Sequence, residues 1–68
     1  MFNMEVIKRN SRRVYTLMDR MYRYTFDEIE RATKLECTDL CMALIELQKE
    51  GRIACHKDDS GVYYTRCA

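Results

Sequence analysis

The sequence predicts an α+β domain made of three helices followed by a C-terminal β-hairpin. Three observations carry this. Apolar residues recur at helical spacing through Val14, Leu17, Met18 and Met21, and again through Leu40, Ala43, Leu44 and Leu47. Thr25 and Glu28 have the Thr-x-x-Glu spacing of a capping box, which marks the start of a helix between those two stripes. After Gly51, two segments rich in strand formers flank the turn residues Asp58-Asp59-Ser60-Gly61.

The first helix is predicted over about residues 12–23, with Ser11 or Asn10 as its N-cap. Residues 1–10 read as an N-terminal arm or an extra helical turn. Tyr24-Thr25-Phe26 is a short extended link, because aromatic and β-branched residues suit that backbone. The second helix spans 26–33 and turns Ile29 and Ala32 inward. Lys34 occupies the corner after it in a left-handed conformation, which costs a residue with a Cβ on the order of 1 kcal/mol. Leu35 plugs the corner. The third helix spans 37–50 and buries Leu40, Ala43, Leu44 and Leu47. Gly51 ends it as a left-handed residue. The hairpin pairs 52–56 with 62–66. The whole chain, 1–68, is therefore one domain: arm 1–10, three-helix core 12–50 and hairpin 52–67.

A chain of 68 residues buries only roughly 60% of its unfolded surface, so the core is small. No apolar run approaches the roughly 20 residues of a membrane span, and the N-terminus lacks the pattern of a secretion signal. A soluble, cytoplasmic protein is expected. Net charge is +1 but uneven: residues 1–34 carry eight basic and five acidic side chains, and residues 35–68 carry four and six. Cys37, Cys41, Cys55 and Cys67 contain no Cys-x-x-Cys pair and read as reduced thiols, with no metal or cofactor expected. Cys37 and Cys41 lie one helical turn apart, but not at a standard zinc spacing. With two glycines, no glycine-rich phosphate loop and no Ser-His-Asp set, an enzyme acting on a small-molecule substrate is not indicated.

Thr25, Glu28, Ile29, Ala32, Thr33 and Leu35, followed by Leu44, Leu47, Gly51 and Ile53, form a pattern across residues 12–67 that resembles winged helix-turn-helix domains. Small bacterial and phage transcriptional regulators carry this pattern, and in length the chain looks like those of fimbrial operons. The resemblance implies a small strand at the Tyr24-Thr25-Phe26 link, a hairpin acting as wing, and double-stranded DNA as partner. The third helix would enter the major groove with Thr38 and Met42 toward the bases. Arg12, Arg13, Lys34, Lys49 and Lys57 would hold phosphates.

The residues of the third helix favour a second partner class. Segment 36–50 carries Glu36, Asp39, Glu46 and Glu50 against Lys49 alone, a balance of −3 that repels phosphate. Its outward side presents Cys41, Met42 and Ile45, an apolar strip suited to a protein partner or a homodimer. The competing explanation is that residues 1–10 fold back over this strip with Phe2, Met4 and Ile7. For the basic residues Lys8, Arg9, Arg12, Arg13, Arg20 and Arg23, the competing explanation is a solvated helix face.

Overall fold

The element order in a computed structural model is α1 (Met4–Leu17), β1 (Arg23–Tyr24), α2 (Phe26–Thr33), α3 (Cys37–Lys49), β2 (Ile53–Asp58) and β3 (Gly61–Arg66). Residues 3–67 are described. The three strands form one antiparallel sheet in the order β1-β3-β2.

The first helix differs most from expectation. It starts at Met4, where the Asn3 side chain accepts hydrogen bonds from the Glu5 and Val6 amides. Residues 4–10 therefore belong to α1 and are not an arm, while Asn10 and Ser11 lie buried inside the helix. Ser11 satisfies its hydroxyl by donating to the Lys8 carbonyl at 2.8 Å. The helix also ends early. Met18 is extended, and the Arg66 guanidinium donates to the Tyr15 and Met18 carbonyls. A cation at that end satisfies orphan carbonyls and suits the helix dipole. The predicted apolar face splits accordingly. Val14 and Met18 are buried, but Met21 is 85% exposed because the helix never reaches it, and Leu17 is also exposed.

The second helix and both of its ends follow the sequence. Thr25 accepts from the Glu28 amide, and Glu28 accepts from the Thr25 amide at 2.8 Å. Ile29 is buried as expected, but Ala32 is exposed and Thr33 takes the inward position. Its hydroxyl donates to the Ile29 carbonyl at 2.8 Å, so a polar side chain is tolerated in the core. Lys34 adopts φ 59°, ψ 22° and turns the chain from α2 toward α3.

At the end of α3, Gly51 has φ 72°. Its amide donates to the Gln48 carbonyl and the Arg52 amide to that of Leu47, the paired bonds of a Schellman stop. The hairpin is longer than predicted, with Asp58 facing Gly61 across a two-residue loop. Asp58 accepts from the Ser60 amide and hydroxyl, which fixes that loop. One apolar cluster joins all three helices to the sheet through Val14, Met18, Ile29, Leu40, Ala43, Leu44, Leu47 and Ile53. Leu35, Tyr24 and Tyr64 pack against its margin.

Lys34 is the one non-glycine among the described residues with positive φ. Lys34→Gly should raise the unfolding free energy by up to about 1 kcal/mol, read as a higher urea midpoint with unchanged slope. A lower midpoint would mean that the lysine side chain itself holds the corner.

Candidate functional site

The outward face of α3 follows from its buried one. Leu40, Ala43, Leu44 and Leu47 point inward, so Thr38, Met42, Ile45 and Lys49 lie on the far side. Ile45 is 56% exposed and Cys41 is exposed, whereas Met42 is half-buried. Ile7 is buried within α1 but leaves Ile45 open, and Met4 is itself exposed. Phe2 lies outside the described residues. The apolar strip is thus narrower than the sequence implies but present.

Two flanks frame this face. On the sheet side, Cys37 and Cys41 are exposed and one turn apart. Cys55 is the cross-strand partner of Tyr64 on the hairpin. Burial pushes the Tyr64 hydroxyl above its ordinary value, and the neighbouring Cys55 and Cys41 add to the shift. On the α1 side lies Glu46, whose side chain is only 6% exposed. Lys8 donates to it at 2.7 Å and to Glu50 at 3.4 Å. Lys49 also pairs with Glu46, and Arg52 pairs with Glu50.

This network changes the electrostatics read from the segment alone. Lys8 comes from α1 and Arg52 from the chain beyond α3. Including both lifts the local balance from −3 to −1. Among the described residues, the carboxylates of α3 and its N-cap without an ion pair are Glu36 and Asp39.

The predicted phosphate contacts do not converge. Lys34 sits at the corner before α3, Lys49 at its last turn, and Lys57 on β2 close to the hairpin loop. All three are exposed. Arg12 and Arg13 lie elsewhere. α1 packs along α3 and buries Ile7, Asn10, Ser11 and Val14. Arg9, Arg12, Arg13 and Thr16 consequently form an outward ridge on α1, opposite its buried face. Arg12 borders a groove of about 280 Å³ between α1 and the end of α3, together with Lys8, Tyr15, Leu47, Glu50 and Arg52.

Sequence reasoning missed two arrangements. Tyr15 lies between two guanidiniums, Arg66 at 3.9 Å and Arg52 at 5.5 Å from its ring centre. On the outer face of the sheet, Tyr63 stacks on His56 with centroids 5.0 Å apart, and Arg23 lies over the same ring. Alternation along β2 and β3 could have placed His56 and Tyr63 on one face, but the pairing register is a tertiary fact. All four cysteines are free thiols. Among the described residues no group of three or more His, Cys, Asp or Glu side chains could hold a metal ion, and no helix is long and apolar enough to cross a membrane.

The fold and surface define a small α+β domain of three helices and a three-stranded antiparallel sheet. Comparison with known protein families, with curated proteins and with solved structures found no match.

The Lys8–Glu46 pair gives a pH signature. The hydrogen bond from Lys8 holds the Glu46 carboxyl below its ordinary value, and the same bond raises Lys8 above its own. Stability from Glu46 is present at neutral pH and is lost as pH falls through its lowered value, beneath the ordinary 4.5. Stability from Lys8 is complete below its ordinary 10.5 and is lost as pH rises through the raised value. Glu46→Gln should flatten the fall of melting temperature between neutral and acid pH. Parallel acid limbs for the two proteins would refute a stabilising role for the pair.

Proposed function

We propose that this chain is a small DNA-binding transcriptional regulator of winged-helix type, a cytoplasmic binding protein and not an enzyme. The observation that carries the reading is the order of connections. The strand between α1 and α2 joins the edge of the C-terminal hairpin, and α2 meets α3 at a left-handed corner. That arrangement matches what the winged-helix resemblance implies, and it leaves one side of α3 and the hairpin open together. Thr38 and Met42 then approach base edges, and Lys34, Lys49 and Lys57 hold phosphates. Pairing of Glu46 and Glu50 with Lys8 and Arg52 reduces the repulsion that the acidic segment would exert. Arg12 and Arg13 belong to a separate ridge and contribute only at long range.

A second reading has its own observation. Ile45 is largely exposed at the centre of the same face, beside Cys41 and Met42. Apolar groups in that position suit a protein partner or a second copy of the chain.

Binding to duplex DNA, followed by fluorescence anisotropy as salt is raised, tests the first reading. Three phosphate contacts give a slope of roughly −3 in log affinity against log salt. Lys34→Glu with Lys57→Glu should weaken binding by about 10-fold or more and make that slope shallower. Arg12→Glu with Arg13→Glu should leave the slope nearly intact. Absence of binding at low salt would sink the DNA reading.

The second reading predicts a complex that Ile45→Glu dissolves. Light scattering of the purified chain, before and after that substitution, measures it. A monomer in both cases removes the homodimer.

A further inference from the structure

The face of α3 that borders the sheet pairs two cysteines, one of which, Cys41, also edges the apolar strip. Cys37 is the first residue of α3 and Cys41 lies one turn later, and both thiols are exposed. Side chains four apart on a helix are neighbours, with Cβ atoms about 5–6 Å apart.

A direct disulfide does not suit this spacing, since it requires Cβ atoms roughly 3.8 Å apart. An inserted ion does suit it, because two metal–sulfur bonds of roughly 2.3 Å each add the missing length. Zinc in a structural site takes four ligands, and the described residues supply no third donor here. Two thiolates alone match a soft ion of low coordination number.

We propose that Cys37 and Cys41 form a two-thiolate site for a soft monovalent ion of the copper(I) class. Two S–H bonds break, two S–Cu bonds form, two protons leave to solvent, and no electron is transferred. The product carries a net charge of −1. That charge sits at the start of α3, where the free amides and the helix dipole act against the repulsion of Glu36 and Asp39.

The test is an anaerobic titration of the reduced, metal-free chain with copper(I) against a chromogenic copper(I) chelator. One ion should bind per chain. Cys37→Ser and Cys41→Ser should each lower affinity by roughly 10²-fold or more, because each leaves a single thiol without its tethered partner. Cys67→Ser should bind like the parent chain. Both tested thiols are exposed, and far-ultraviolet circular dichroism checks that each variant keeps its helices. Equal affinity in Cys37→Ser and the parent would overturn the site. So would affinity no better than that of glutathione at the same thiol concentration, or displacement of copper(I) by equimolar zinc.

Discussion

The structure depends on covering one apolar stripe. Leu40, Ala43, Leu44 and Leu47 of α3 are each at most 2% exposed, and no single neighbour can enclose them. Val14 and Met18 close the stripe from α1, Ile29 from α2 and Ile53 from β2. Each fully buried Leu or Ile contributes roughly 1.5–3 kcal/mol, which is large against the margin of a domain this small. The requirement also fixes which residues α3 presents to solvent. Once that stripe is inside, Thr38, Ile45 and Lys49 have no choice but to face out, whatever they meet there.

Local chemistry was legible in the sequence where its partners are close along the chain. The capping box of α2 joins residues three apart, and the left-handed stops at Lys34 and Gly51 involve bonds within one helical turn. Those elements begin and end where the sequence places them, to within a residue. The first helix was not legible in the same way. Its apolar period continues through Met21, yet the helix stops at Leu17. What stops it includes Arg66, which binds the Tyr15 carbonyl from 51 residues away. Its start was obscured as well, because Ser11 and Asn10 look like caps but serve as buried helical residues beneath a true cap at Asn3. Thr33 repeats the lesson: its hydroxyl bonds to the helix behind it, so it fills the inward position that Ala32 would take on hydropathy alone.

The candidate site was legible in its residues but not in its charge. Counting acids along segment 36–50 treats Glu46 as a free surface carboxylate. In the fold its side chain is 6% exposed and bonded to Lys8, 38 residues away. A carboxylate so placed ties α1 to α3 and presents little field to an incoming phosphate, because its counter-charges are at contact distance. The local balance belongs to a surface assembled from three elements. No window along the sequence contains it.

That assembled surface also makes the two partner readings mutually exclusive within one copy. DNA read by α3 needs Thr38 and Met42 at base edges, which places Ile45 and Cys41 beside the duplex. A twofold homodimer through Ile45 would be isologous, so it would cover the same residues on both copies. Any DNA held by such a dimer would have to use cations outside α3. The structure supplies them in Arg9, Arg12 and Arg13, exposed on the ridge of α1 opposite its buried face. The basic ridge and the apolar strip therefore belong to different helices. If the strip is occupied by protein, the ridge is the surface left for a polyanion.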